Sequence, residues 1–390
     1  MKLGEIQDQL RRYQIDGWLF FDHHERDPLA YRVLGFSPPR LVTRRWYYWI
    51  PATGDPLGLV HRIESGMLAK LPGDRIRYSS WQEQVDGLRR LLTGSRRIAM
   101  QYSPDCKIPY VSMVDAGTLD LVRQTGVEVV SSGELIQYFE ARLDADGLAS
   151  HLEAGRRVDL IRAGTFRFIG EQLKAGTRID ELAVKRFILE QFAREGLFTD
   201  HGPIVGVNAN AANPHYEPDS THSGPIVKGD FVLMDMWAKL DVADAVYYDI
   251  TWTGYCGANP PSAIENVFDI VTGARNRAIG RVKKAVAAGE TLRGFEVDDA
   301  AREYIESKGF GADFPHRTGH SIGRDVHGNG ANMDNLETHD DRKLIPWTCF
   351  SIEPGIYLDT FGIRSEINMF IDDTTARVTG EMQDRLVAIE

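Results

Sequence analysis

Disulfide frameworks, membrane spans and excess positive charge are all missing from this chain of 390 residues. Its three cysteines, Cys106, Cys256 and Cys349, lie far apart, and no two form a CxxC pair. A disulfide scaffold is therefore excluded as the organising principle, and the expectation is of reduced, mostly buried thiols in a cytosolic protein. No run approaches the ~18 apolar residues that a membrane helix needs. The opening stretch "MKLGEIQDQLRRYQ" carries charge throughout, where a signal peptide would have an apolar core. The reading is of a soluble, cytoplasmic protein with no membrane partner. Asp and Glu number 56 against 45 Lys and Arg, for a formal net charge of −11. Such a surface repels polyanions, so nucleic acid is not the expected partner, and a small molecule or peptide suits it better.

The length points to two or three domains. In the first third, Leu3, Ile6, Leu10 and Tyr13 fall on one helical face, and "GWLFF" follows as a buried strand. Two strands flank the turn "PATGDP", with the aromatic run "RRWYYWI" read as a buried hairpin strand. "DRIRYSS", "RRIAMQYS" and "VEVVSS" read as strands, with helical stretches "WQEQVDGLRRLL" and "VSMVDAGTLDLVRQ" between them. This rhythm predicts a small α/β domain over 1–135. From 136 the pattern turns to long helices and opens a second domain, 136–390. That domain carries a repeat: "LKAGTRIDELAVKRFILEQFAREGLF" resembles "VAAGETLRGFEVDDAAREYIESKGF". Both read Ala-Gly, a short loop, an acidic helix start and an aromatic-bearing helix ending in Gly and Phe. Two copies of one α/β unit would pack about a pseudo-twofold axis, with a site at their seam.

Four strand-like segments of the second domain each hold an isolated acid. "FVLMDMW" holds Asp235, "AVYYDITWTG" Asp249, "CFSIEPGIY" Glu353 and "GIRSEINMF" Glu366. A carboxylate inside a buried strand is costly unless it is paired or metal-bound. Four facing one cavity would repel strongly, so positive charge must sit among them. His320, in "TGHSIGRDVHG", completes a plausible set. Four carboxylates and a neutral imidazole carry a formal −4, and two divalent cations balance it; bridging carboxylates suit ions roughly 3.5–4 Å apart. One nitrogen among many oxygens favours Mn²⁺, with Co²⁺, Fe²⁺ or Zn²⁺ also suited.

The ordered set Asp, Asp, His, Glu, Glu in these contexts resembles the pita-bread metallopeptidases, in the branch of aminopeptidase P, prolidase and creatinase. "VLMD", "DITWTG", "GHSIGRDVHG", "SIEPGIY" and "IRSEI" stand in the family's order over about residues 150 to 390. The resemblance implies an α/β (α+β) fold: a small N-terminal α/β domain, then a pita-bread catalytic domain with internal pseudo-twofold duplication. It implies metal ligation by Asp235, Asp249, His320, Glu353 and Glu366. It places His215, His316 and His327 against the substrate, where such histidines stabilise charge developing on the scissile carbonyl. A water bridging two cations would supply hydroxide near neutral pH. Glu353 would take its proton and pass it to the leaving nitrogen. Arg364, with Tyr357 as a weaker candidate, would hold the ligands from behind. Hydrolysis of the Xaa-Pro bond of small peptides and a homodimer are family expectations.

His320 and His327 stand seven positions apart, and a straight strand would send their rings to opposite faces. A turn at Gly323 would let both reach one cavity. His23, His24 and His339 match nothing in the family and read as surface residues. Asp235 and Asp249 are fourteen apart, longer than the family's usual spacing, and the interval offers Asp241 and Asp244 as competing acids. After His327 the family often has an acid, where this chain reads "HGNG". A non-peptidase metal-dependent hydrolase or lyase on the same fold is the alternative, and a non-catalytic binding protein a third reading. The full ligand set argues against a metal-free route like creatinase's.

Overall fold

The computed structural model describes residues 1–37 and 41–390. The chain divides into two compact units, Met1–Glu140 and Ala141–Glu390. The first runs α1 (Leu3–Arg12), β1 (Gly17–Asp22), α2 (Pro28–Leu34), β2 (Trp46–Pro51), β3 (Leu57–His61), β4 (Asp74–Tyr78), α3 (Trp81–Leu91), β5 (Arg97–Met100), α4 (Ala116–Arg123), β6 (Glu128–Ser131) and α5 (Gly133–Glu140). Its six strands form one sheet in the order β4-β3-β2-β1-β5-β6. The aromatic run in β2 is buried on both faces. Trp46, Tyr48 and Ile50 pack with Ile6, Leu10 and Leu34, while Tyr47 and Trp49 pack with Leu88, Leu91 and Val122. A strand covered by helices on both sides reads as an unbroken apolar run, as this one does.

Two local expectations are revised. "VSMVDAGTLDLVRQ" is helical only from Ala116, because the Asp115 carboxylate caps that helix by accepting from Thr118 N–H. "LIQYFE" does not continue into the second unit. Leu135 and Ile136 pack into the first unit's core, so that unit closes at Glu140 rather than 135. Asp144 then caps a new helix by accepting from Gly147 N–H.

The second unit is built twice over. Its first half runs α6 (Ala145–Lys174), β7 (Ile179–Asp180), α7 (Glu181–Arg194), β8 (Leu197–Phe198), β9 (Ile204–Val207), β10 (Pro225–Ile226), β11 (Phe231–Leu240) and β12 (Tyr248–Tyr255). Its second half runs α8 (Ser262–Ala288), α9 (Gly294–Ser307), β13 (Ser321–Ile322), β14 (Thr348–Ile352), β15 (Gly355–Leu358), β16 (Phe361–Arg364), β17 (Ile367–Ile371), β18 (Ala376–Thr379) and β19 (Val387–Ala388). The sequence repeat falls on the matching helix pairs. Gly176 and Gly289 follow the first helix of each pair with φ of 67° and 65°, and Gly196 and Gly309 follow the second with 64° and 87°. All four occupy the left-handed region that a helix end favours and a side chain resists.

Each helix pair covers one face of its own strands. Val158, Ile188 and Phe192 pack on Val232, Met234 and Ile250. Val271, Ala278 and Val297 pack with Phe350, Ile352 and Met369. Burial of each large side chain contributes ~1.5–3 kcal/mol. Strand alternation turns the other residues of β11 and β12, with Asp235 and Asp249 among them, away from α6 and α7.

Candidate metal centre

Strands β11 and β12 pair antiparallel, with Asp235 opposite Thr251 and Trp237 opposite Asp249. Residues directly opposite share a face, so both aspartates look the same way, one step apart on the diagonal. The fourteen-residue spacing is taken up by the connection 241–247. Asp241 and Asp244 lie there, exposed, and Asp244 pairs with Arg324 at 3.2 Å. The competing acids are thus outside the site.

The second half meets these strands through short hydrogen bonds. Asp249 N–H donates to Asn368 Oδ1 at 2.9 Å, and Asn368 Nδ2 returns a bond to Asp249 O at 2.6 Å. Glu366 N–H donates to Thr251 O, and the Thr251 hydroxyl donates to Glu366 Oε2 at 2.8 Å. His320 stands in a segment that only glycine could precede, since a Cβ on Gly319 would collide with Ser351 O. Its Nδ1 faces Ser321 O at 3.1 Å, which fixes the proton there and leaves Nε2 as an acceptor. Nε2 lies 3.2 Å from Glu353 Oε1 and 3.6 Å from Asp249 Oδ2. Asp249, His320 and Glu366 each offer a ligand atom within 4.8 Å of the others. Glu353 Oε1 also accepts from Ser351 Oγ at 2.9 Å.

Asp235 joins the group through Arg364. That guanidinium donates to Asp235 Oδ2 at 2.6 Å, to Thr251 Oγ1 at 2.9 Å and to the Tyr357 hydroxyl at 3.0 Å. Tyr357 in turn bonds His316 Nε2 at 2.7 Å, while His316 Nδ1 bonds Arg317 O at 2.7 Å. Arg364 and Tyr357 thus brace both an acid and a histidine. After Ile322 the chain turns back, with Gly328 N–H donating to Ser321 O at 2.6 Å, and the His327 ring meets that of His320 edge-on at 4.4 Å. A Cβ on Gly328 would stand 2.9 Å from Ser321 Oγ, which accounts for glycine where the family often has an acid. His215 stands on the loop that follows Ala212. It is exposed, and among the described residues nothing hydrogen-bonds its ring.

The site's own charges pull its acids in two directions. Burial raises Asp235 to about 7, and raises Asp249 and Glu366 well above the carboxylate range, with neighbouring carboxylates adding to the rise. Burial works against Glu353 too, yet His320, His316 and Arg364 hold it below its ordinary value. Burial lowers His320 and His316, the latter to about 4. His320 and burial lower His327 to about 3.

The fit of a cation can be tested on these atoms. Asp235 Oδ1, Asp249 Oδ1 and Glu366 Oε1 are buried and have no hydrogen-bond partner. Buried acceptors are almost always satisfied, so three orphans in one cluster call for a positive ligand. Three carboxylate oxygens beside an imidazole nitrogen form a hard, oxygen-rich donor set for a divalent transition metal.

Several positioning residues went unnamed in the sequence reading. Thr251, Ser351 and Asn368 each stand two places from an acid, and the period of a strand puts them on its face. That signal was there to be used. His151 had none. It sits fully buried on α6, bonding Tyr247 O at 2.6 Å and Thr379 Oγ1 at 2.7 Å, and so ties the helix to the approach of β12.

Both halves of the duplicated unit thus contribute to one acid-and-histidine cluster, Asp249 from the first and His320 and Glu366 from the second. Residues 151–373 match the metallopeptidase family M24, and the chain belongs to that family. A Mycoplasma pneumoniae protein bearing the name Xaa-Pro aminopeptidase is 30% identical over 204 residues, 50% of this chain and 51% of its own. A Xaa-Pro dipeptidase of Lactobacillus delbrueckii subsp. lactis is 32% identical over 169 residues, 43% of this chain and 41% of its own. The chain spans about half the length of the curated relatives it matches. In structure it resembles the dipeptidase PepE from Mycobacterium ulcerans, with a TM-score of 0.70, 20% identity and coverage of 100% and 97% of the two chains. A recombinant prolidase from Thermococcus sibiricus gives 0.64, 23% identity and coverage of 99% and 98%. Those two likenesses carry the fold, including the N-terminal unit. Among the described residues no helix is long and apolar enough to cross a membrane.

Proposed function

We propose that the chain is a dinuclear metallopeptidase that hydrolyses the Xaa-Pro bond of small peptides, working as a cytoplasmic homodimer. The observation that carries this reading is the set of three buried, unpartnered carboxylate oxygens on Asp235, Asp249 and Glu366, with ligand atoms of Asp249, His320 and Glu366 within 4.8 Å of one another. Asp235, Asp249, His320, Glu353 and Glu366 would hold two divalent cations, with Mn²⁺ best suited and Co²⁺, Zn²⁺ or Fe²⁺ able to replace it. When bound, the cations supply Lewis acidity and bring a shared water's pKa toward neutrality.

The chain's own groups do the rest. Glu353 is the acid kept ionised by its surroundings, so it takes the proton of the attacking water and delivers it to the leaving nitrogen. Arg364 fixes Asp235, and through Tyr357 it orients His316. His327, beside His320, presents a neutral ring to the carbonyl oxygen. His215 reaches substrate only from its exposed loop. Proline specificity rests on the relatives named Xaa-Pro aminopeptidase and Xaa-Pro dipeptidase.

The test is turnover of Xaa-Pro dipeptides and tripeptides after chelation and re-addition of Mn²⁺, Co²⁺ or Zn²⁺. Metal-dependent cleavage supports the reading, and the dipeptide-to-tripeptide ratio separates prolidase from aminopeptidase behaviour. Bound metal with no cleavage of any member moves the assignment to another hydrolase or a lyase at the same site.

A further inference from the structure

One carboxylate beside the centre takes no part in the metal chemistry. Asp200 lies in the turn after β8, with its side chain 41% exposed. Its Oδ1 accepts the indole N–H of Trp237 at 3.0 Å. Trp237 is the cross-strand partner of Asp249 and stands two residues beyond Asp235, on the face that bears both acids. Asp200 is therefore one indole's length from a metal ligand, and its charge is felt at Asp249 and at His327. Burial opposes ionisation, yet the Trp237 indole and nearby backbone N–H groups hold its carboxyl below the ordinary value.

Nothing cationic and permanent answers this charge. Among the described residues no Lys or Arg forms an ion pair with Asp200. Among the described residues the imidazole that faces it is that of the exposed His201, with Nδ1 3.4 Å from Oδ2. Lys239 lies on the same strand but donates to Arg324 O and sits over the Tyr247 ring. A fixed, half-exposed negative charge thus stands beside the site, held by the Trp237 indole.

We propose that Asp200 is a specificity-determining residue that selects peptides whose N-terminal residue carries a cationic side chain. This rests on the peptidase reading above. A substrate's α-amino group lies close to the scissile carbonyl, inside the ring of metal ligands. Asp200 lies a Trp side chain further out, where the end of a lysine or arginine side chain arrives. An acidic side chain there meets repulsion, and selection combines that repulsion with attraction for the cation.

The experiment uses the full chain with Mn²⁺ present and compares Lys-Pro with Glu-Pro. Dissociation constants are measured by calorimetry in a Glu353→Gln background, where bound peptide is not consumed, with and without Asp200→Asn. Asparagine keeps an oxygen for the Trp237 indole, so the variant should fold. The background protein should bind Lys-Pro roughly tenfold more tightly than Glu-Pro, Asp200→Asn should erase that preference, and Asp200→Lys should invert it. A preference that survives Asp200→Asn, equal affinities in the background protein, or no binding of either peptide overturns the proposal. Failure of the peptidase reading shows separately, as absence of turnover by the wild-type chain with any Xaa-Pro peptide.

Discussion

Asp22 and Asp249 are both strand aspartates buried to within 5% of full burial, one in each unit. Asp22 ends β1 with every oxygen engaged. It accepts from the N–H groups of Glu25, Arg26 and Asp27 and from the Tyr31 hydroxyl, at 2.7–3.0 Å. Asp249 keeps one oxygen with no partner, and so do Asp235 and Glu366 beside it. The same residue type at the same depth thus serves two ends. A carboxylate ringed by donors fixes a loop, whereas carboxylates left open to one another hold a place for a cation.

The contrast breaks most visibly at Glu353, the acid proposed to transfer the proton. Glu353→Gln should lower turnover of an Xaa-Pro peptide by about a thousandfold, the scale of general acid–base catalysis, and leave unfolding cooperative. Full activity in that variant would end the mechanism.

Metal removal should come next in size. A carboxyl whose folded pKa is raised stabilises the fold below its unfolded pKa, and that stability is lost as pH climbs through the folded value. For the chelated protein, Asp235 places this loss between about pH 4 and 7, with Asp249 and Glu366 acting in the same direction. Chelated wild-type chain should therefore lose stability relative to chelated Asp235→Asn from about pH 4 to 7, a comparison in which the lowered pKa values of His316 and His327, which add stability as pH rises, cancel. A difference between the two that stays flat over that range contradicts the buried cluster.

Paired substitutions sharpen the comparison directly. Asp22→Asn should cost about 1–3 kcal/mol, since one amide oxygen cannot serve four donors. Asp249→Asn should raise the melting temperature of the metal-free chain by relieving like charge, and should abolish stabilisation by Mn²⁺. The two asparagine variants should thus move in opposite directions. The smallest effect belongs to Asp241→Asn, an exposed hairpin residue, at under about 0.5 kcal/mol with metal binding unchanged.

Much of this was legible in the sequence because strands advertise their acids. Each of "FVLMDMW", "DITWTG" and "IRSEI" sets a charge in an apolar run, and alternation then points to Thr251 and Asn368 on the same face. The duplication was legible in the glycines that end its helices. What was not legible depended on contacts across hundreds of residues. The bond from His151 to Thr379 spans 228 positions, and the tie from Asp200 to Trp237 crosses from a loop to a strand. The end of the first unit was misplaced for a like reason. "LIQYFE" is amphipathic under either pairing, and only the burial of Leu135 and Ile136 decides it.

The most direct test of the central claim is calorimetric titration of chelated wild-type chain with Mn²⁺, with the Asp249→Asn variant titrated alongside. The account predicts two ions per chain for the wild type, a matching rise in melting temperature, and loss of at least one ion in the variant. No binding by the wild type, or an unchanged stoichiometry in the variant, would contradict the claim that these orphaned carboxylates are a metal centre.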